Sequence, residues 1–390
     1  MQIIPPTIDR LHQLAANLSN TVLSSECERV DQEGRWPEKG LRALADAGLM
    51  GLHLPSRLGG QEQGLLALAV ITEELGKSCS STAMCFGMHN VAAKVLATKA
   101  TPYHEEQFLR PIAEGRHISS LALSEPGTGA QFFLPRTRFA AEGDQMVLNG
   151  QKSFVTSGGH ADSYVMSAVP PGLEFDPGTF TCFAVEGSTP GLEWLQDWDG
   201  FGMRGNSSRG VRMQNVKIPA RNILGSEGDQ IWYVFEVVAP YFIIAMSAVY
   251  LGIAQSALDH VISHLKERSH EHTGETLSKI PALGHQVAEM WTSIQRTRQL
   301  VHHAARLGDA GAAETPLALF AAKIDVAEMV TSATQQALML SGGRGYAKSS
   351  AVTRLMRDGQ ASHVMAPTTQ LLKTWLGRSV LGLPLLSADN

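Results

Sequence analysis

From Val237 to Leu258 the chain carries no charged residue, a run long enough to cross a bilayer as a helix. A helix that is apolar on every side has two destinations, hydrocarbon or the middle of a protein. Pro240, Ser247, Gly252, Gln255 and Ser256 interrupt the run, so the expectation is a buried core helix and no membrane span. With 390 residues the chain is long enough to build such a core more than once, in two or three domains.

The flanking patterns divide the chain into three. Residues 1–118 read as helical: Pro37-Glu38 opens a helix whose apolar positions Leu41, Leu44, Ala45 and Leu49 share one face before Gly51. Gly59-Gly60 then breaks the chain, and helical patterns resume near Leu65, run through Ile71 to Leu75, and return from Thr82 to Ala100. Residues 119–229 change to short alternating runs punctuated by Gly, Pro and Asn, the pattern of a β-domain. Long helical periodicity returns over 230–390, including Gln286 to Leu307 and Pro316 to Leu340. The fold class this implies is α+β, with helices before and after a compact middle β-domain.

Four stretches carry chemistry. Leu121-Ala122-Leu123-Ser124-Glu125-Pro126-Gly127-Thr128-Gly129-Ala130 places two glycines where a backbone could approach a flat ring or a pyrophosphate; Pro126-Gly127 would equally serve a plain turn. Asn149-Gly150-Gln151-Lys152-Ser153-Phe154-Val155-Thr156-Ser157-Gly158-Gly159 begins with a hairpin signal, Asn-Gly, followed by strand-like alternation. The third is Gly202-Met203-Arg204-Gly205-Asn206-Ser207-Ser208, with Val216 to Gly225 behind it. The fourth is Ser341-Gly342-Gly343-Arg344-Gly345-Tyr346, followed by Arg354, Arg357 and Asp358.

Taken together, in this order and spacing, these stretches resemble the acyl-CoA dehydrogenase family: its T-E-P-G-A-G-S loop, N-G-x-K-x-W-I-T-N-G-G, G-x-R-G-S and H-G-G-x-G-Y…R-x-x-R-D. The resemblance implies an N-terminal helical domain, a middle β-barrel-like domain and a C-terminal four-helix bundle, with FAD between the last two. By position, backbone at Leu123 and Ser124 would lie beside the flavin ring, near Gly129 and Ala130, and the Thr156 hydroxyl near its redox-active edge. Phe154 stands where the family has a covering tryptophan, an aromatic exchange that keeps stacking surface. Arg268 and Gln286 match residues that hold the dinucleotide end from a neighbouring subunit. The intervening T-F-G is replaced by the loop His270 to Thr276, and Met339 and Ala130 replace polar family residues. Gly342, Gly343, Thr368 and Gln370 match further FAD contacts near the other subunit. A homodimer or homotetramer is thereby implied.

The family removes a proton beside a thioester with a glutamate while a hydride leaves the next carbon, so a base is indispensable to the rate. The position of that glutamate holds Ala366, within Met365-Ala366-Pro367-Thr368, and the alternative position aligns near Phe242; the arginine beside it aligns with Ile243. Tyr241, Phe242, Met365 and Ala366 would line a substrate pocket with hydrocarbon and aromatic surface. Four readings follow. The first is α,β-desaturation of an acyl thioester, on CoA or a carrier protein, with a relocated base for which His363, Glu236 and Tyr241 are the nearest candidates. The second is a flavin-dependent monooxygenase on the same fold, where oxygen meets reduced flavin and Pro367 matches a proline of such relatives. The third is a non-redox relative that has lost catalysis, and the fourth a base supplied by the substrate or its carrier. His89 is a further candidate of lower rank. An electron-transfer partner or reductase would complete the cycle.

A net charge of -5 gives no electrostatic footprint for nucleic acid. Cys27, Cys79, Cys85 and Cys182 form no C-x-x-C pair, and the start Met1 to Pro6 has neither the basic region nor the apolar run of a signal peptide, so a reducing cytoplasm is the expected compartment. The histidines of 269–276 and His302-His303 lack the spacing of a zinc site, and no metal is expected.

Overall fold

The computed structural model of the chain describes residues 4–174, 180–227, 229 and 232–385. Met1 to Ile3, within the start that lacks signal-peptide features, and Gln230, at the start of the C-terminal helical pattern, lie outside the described residues. The chain opens with helices α1 (Pro6–Leu18), α2 (Ser24–Gln32), α3 (Glu38–Asp46), α4 (Leu65–Ser78) and α5 (Ser80–Thr98). Two 4-stranded sheets follow. Their strands are β1 (Ser119–Ala122), β2 (Arg138–Glu142), β3 (Gln145–Val155), β4 (Ser163–Ala168), β5 (Thr181–Glu186), β6 (Leu192–Trp194), β7 (Arg209–Pro219) and β8 (Ile223–Leu224). The last part is α6 (Ala239–Glu267), α7 (Pro281–Asp309), α8 (Thr315–Gly345), α9 (Ala351–Val364) and the shorter α10 (Thr369–Val380).

The uncharged run forms most of α6, and its surroundings explain its composition. Helices α4 and α5 cover one side of it and α7, α8 and α9 the other, so the residues from Ile243 to Ala254 are all buried. Pro240 lies just past a π-helical stretch, Tyr233–Val238, that leads into α6, the kind of widened turn at which a helix accommodates a proline. The polar interruption Gly252 permits a close crossing: a Cβ there would meet the Glu73 carbonyl oxygen at 2.4 Å and the Gly76 carbonyl carbon at 2.7 Å. By length and hydropathy the helix could span a membrane, but it is the core element that joins the two helical regions.

The sheets have the orders β1-β4-β5-β8 and β2-β3-β7-β6; β1 and β4 are parallel and the other pairs antiparallel. One expectation is corrected here. Asn149-Gly150 is no hairpin turn: β3 runs straight through it, and the β2–β3 turn falls at Gly143, which has φ 64°. The glycine serves a bulge instead. The register against β7 shifts between Leu148 and Gly150, and a Cβ on Gly150 would press on Thr137 at 2.6–2.9 Å. The third helix also stops at Asp46, three residues before the buried Leu49 that its periodicity had included.

Candidate active site

A second bulge aims the site. Between Lys152 and Val155 the β3–β7 register slips again, and Phe154 takes a left-handed conformation, φ 55°. A bulky side chain pays for that conformation with strain, which is retained where surrounding structure enforces it. The result is an aromatic ring 70% exposed, turned into a cavity of about 900 Å³ instead of lying along the strand. Trp198 meets its edge at 6.4 Å between centroids.

One wall of this cavity is the loop Leu123 to Ala130, with Ser153 and Thr156 beneath it. Gly127 and Gly129 have φ of 87° and 56°, and space for a Cβ is open at Gly129, so the loop presents bare backbone. A buried ion pair fixes it. Lys152 Nζ lies 2.6 Å from Glu125 Oε1 and donates to Ser167 Oγ at 2.9 Å; Glu125 also accepts from Thr137 Oγ1 at 2.6 Å and the Arg136 N–H at 2.7 Å. Burial raises the Glu125 carboxyl, but Lys152 and these donors outweigh it and hold it below its ordinary range. Glu125 is therefore an anchor of the loop and has no lone pair to offer a substrate. Sequence reasoning missed the pair, because only the pairing of loop and strand brings residues 125 and 152 together.

The opposite wall is apolar: Val238, Ala239 and Phe242 from the entry to α6, Met88 from α5, Phe132, and Val364, Met365 and Ala366 at and just after the end of α9. Tyr250 donates its hydroxyl to Met365 Sδ at 2.9 Å, which ties this segment to the core helix. Of the sequence-derived site residues, Leu123, Ser124, Gly129, Ala130, Phe154, Thr156, Phe242, His363, Met365, Ala366 and Thr368 line the cavity together. Tyr241 does not; its ring packs edge-on against His53 at 4.8 Å, with Lys94 Nζ 5.4 Å from its centroid. Arg268, Gly342, Gly343 and Gln370 are exposed and Gln286 half-buried, all outside this cavity. Gly342 adopts φ 58°, ψ -150°, a conformation that only glycine takes readily, and it breaks α8 in its last turn. The His270 to Thr276 loop closes as a small exposed hairpin around Gly274.

The proton-accepting candidates separate cleanly. Among the described lining residues the titratable groups are Glu125, Arg357 and His363, and Arg357 is paired with Asp31. Glu236 is exposed and outside the cavity. His89 is fully buried between Met50 O at 2.9 Å and the Ser119 N–H, which donates to its Nδ1 at 3.0 Å. Burial pulls its pKa down to about 4, so it is a neutral tie between α5 and β1. His363 remains. Its Nδ1 is 3.2 Å from Thr369 Oγ1, and burial, then the Lys323 charge, hold the ring below the ordinary 6.5. Among the described residues no group of three or more metal-type ligands occurs.

A bare-backbone loop, an outward aromatic ring and a facing apolar wall give the cavity open space and stacking surface beside hydrocarbon surface. The chain belongs to the acyl-CoA dehydrogenase family: residues 6–116, 120–216 and 241–381 match its N-terminal, middle and C-terminal domains. It is 32% identical to the cyclohex-1-ene-1-carbonyl-CoA dehydrogenase of Geobacter metallireducens, over 90% of this chain and 92% of that one. It is 29% identical to the probable acyl-CoA dehydrogenase YngJ of Bacillus subtilis, over 95% and 97%. The butyryl-CoA dehydrogenase structure from Megasphaera elsdenii matches with a TM-score of 0.92 at 26% identity, covering 98% of this chain and all of that one. Membership makes the protein a flavoprotein oxidoreductase acting on CH–CH groups, with FAD as its cofactor. The cavity fits FAD on its own terms, since its volume, the open glycine loop and the outward Phe154 leave room and stacking surface for a flavin.

Proposed function

We propose that the protein oxidises an acyl thioester between its α and β carbons, with His363 as the base that replaces the missing carboxylate. The observation that carries this reading is that, among the described lining residues, His363 is the one titratable group not already held in an ion pair. Leu123, Ser124, Gly129, Phe154 and Thr156 would hold the flavin, whose bound form supplies the acceptor for the hydride leaving the β-carbon. Val238, Ala239, Phe242, Met365 and Ala366 exclude water and pack the acyl chain. Thr369 orients the imidazole: with Nδ1–H donating to its Oγ1, Nε2 is left as the acceptor of the α-proton. Because His363 is held below 6.5, it is unprotonated at neutral pH and ready to accept that proton.

The exposed positions Arg268, Gly342, Gly343 and Gln370 support a second copy completing the dinucleotide end. Exposed Trp291, Met339 and Tyr346 on and beside the same helices supply apolar surface for it to cover. The carrier of the acyl group would be CoA, as in the substrates for which the relatives are named, or a carrier protein. An electron-accepting protein would regenerate the oxidised flavin, as the likeness to an electron-transferring-flavoprotein system at 27% identity suggests. The test is an anaerobic titration of the FAD-loaded protein with a panel of acyl-CoA and acyl-carrier thioesters. Bleaching of the flavin band by a panel member, abolished in His363→Ala with FAD still bound, is the expected result; full bleaching by the variant removes His363 from its role.

A second reading has one observation in its favour. Ala366 and its apolar neighbours leave the usual carboxylate position with no proton acceptor, which oxygen chemistry on an externally reduced flavin would not require. A panel that bleaches nothing, with FAD firmly bound, would favour it.

A further inference from the structure

A second cavity, of about 400 Å³, lies between α2, the end of α4, the second half of α6 and the start of α9. Asp31 lines it, and Arg357, the ion-pair partner of Asp31, lines the first. The two cavities differ in chemistry. Where the first is largely hydrocarbon on one wall, the second presents six serines and the basic side chains of Lys77, His260, Lys348 and Arg354. Its acids are few: Asp31 is held by Arg357, and Glu28, exposed, accepts from Gln32 Nε2 at 2.8 Å.

Three groups here lack partners. Lys77 is paired with Glu74, but among the described residues neither Arg354 nor Lys348 makes an ion pair. Arg354 is half-buried, and its guanidinium gives one hydrogen bond, from Nη1 to the Cys27 sulfur at 3.0 Å, a weak acceptor for a group with several donors. Asp358 is close enough to attract it, yet that carboxylate accepts from Ser80 Oγ and the Met203 N–H instead. Ser256 is 8% exposed, and among the described residues its hydroxyl is neither sealed in nor hydrogen-bonded. A hydroxyl inside a helix commonly returns its proton to the preceding turn, as Thr331 does to Ala327 O at 2.9 Å in α8. The start of α9 adds a fourth feature: Ser350 caps the Val352 N–H at 3.2 Å, and Ala351, whose N–H has no helical acceptor, lines the cavity at the positive end of a 14-residue helix.

An uncommitted guanidinium, an unpaired ammonium, an open hydroxyl and a helix N-terminus around one space suit a phosphate group. The volume, about 400 Å³, lies at the small end of the range of about 300–1,000 Å³ for organic ligands, and is far more than a lone oxyanion fills. Ser24 Oγ and Ser25 Oγ donate to Asn20 O and Val22 O, at 2.7 and 2.8 Å, so each keeps its lone pairs for a hydroxyl of the occupant. We propose that this cavity binds a small phosphate monoester with a hydroxyl-bearing organic part, its phosphate held by Arg354, Lys348, Ser256 and the first turn of α9. The site is separate from the flavin cavity and does not depend on the reaction proposed there.

The test is calorimetric titration of the full-length, FAD-loaded protein with ribose 5-phosphate, inorganic phosphate and ribose, for wild type, Arg354→Gln and Lys348→Glu. Lys348 is exposed, so its variant carries the comparison should Arg354→Gln not fold, with thermal melting as the check. Loss of one charge-assisted hydrogen bond corresponds to about a 10- to 100-fold weakening. The expected result is ribose 5-phosphate bound more tightly than inorganic phosphate or ribose, weakened by that factor in Arg354→Gln and several-fold in Lys348→Glu. Neither phosphate bound at millimolar concentration, or ribose 5-phosphate bound equally by wild type and a folded variant, would overturn the proposal. Inorganic phosphate bound as tightly as the ester would overturn the organic part and leave a bare ion as the ligand. Ribose bound as tightly as its phosphate would overturn the assignment of the basic groups to a phosphate.

Discussion

Replacing Lys152 by methionine should destabilise the protein and loosen its flavin wall together. Lys152 and Glu125 have side-chain exposures of 0% and 3%, so neither charge is screened by water. Methionine fills the space of the lysine stem but leaves Glu125 with hydrogen bonds from Thr137 and Arg136 alone. Breaking a buried pair from one side typically costs about 3–5 kcal/mol. The remaining donors to the carboxylate place the expected loss near the lower figure, about 3 kcal/mol. Glu125 belongs to the loop proposed to hold the flavin, so FAD affinity should fall with stability. Lys152→Met combined with Glu125→Gln removes both charges and should recover much of the loss, because neither partner is then left charged and alone. Urea unfolding of apoprotein and FAD titration of the folded variants measure the two effects. A single variant as stable as wild type, or a double variant no better than the single, would refute the assignment of this pair as the loop's anchor.

Two further outcomes follow from the packing. Gly252→Ala gains about 1 kcal/mol of helix propensity, but its Cβ would meet the Glu73 and Gly76 backbone at 2.4 and 2.7 Å; overpacking by this route costs about 1–3 kcal/mol and should win, lowering the melting temperature, and a raised melting temperature would contradict the close crossing. Acid should destabilise the fold well above the carboxylate range: burial pulls His53 to about 3 and His89 to about 4, so below pH 6.5 the unfolded chain binds protons that the native state refuses. Stability is then full above about 6.5 and lost as pH falls, by about 2 kcal/mol per ring at pH 5; urea midpoints at pH 7 and pH 5 check this, and His89→Gln should flatten part of the slope.

The core helix was legible because an uncharged run of that length has so few destinations, and its polar interruptions turned out to be a crossing glycine and residues facing other helices. The glycine loop and the Phe154 to Gly159 segment were legible as motifs, whereas their geometry was not. Asn149-Gly150 has the composition of a hairpin turn, yet the close approach of Thr137 makes it a bulge, and no local pattern records a neighbour 12 or more residues away. Tyr241 and Phe242 are adjacent in sequence, but on a helix adjacent residues point about 100° apart, so one lines the cavity and the other meets His53.

On the proposed reading, the contrast between positions 363 and 366 is how the site keeps its reaction without a carboxylate at 366. Ala366 lies just past the end of α9, while His363 occupies the helix's last turn, and both face the same cavity. A histidine at a helix C-terminus would ordinarily be favoured in its charged form by the helix dipole. Here burial and the nearby Lys323 act in the opposite direction, and they prevail over the attraction of Glu328. Lys323 is itself buried, with its Nζ bonded to the carbonyl of Ser362, next to His363 in the chain. A positive charge fixed behind the last turn both satisfies a terminal carbonyl and keeps the adjacent imidazole from protonating too early. The turn that orients His363 is thus the turn that sets its protonation, and an imidazole that stays neutral below its ordinary pKa can accept a proton where a hydrocarbon side chain at 366 cannot.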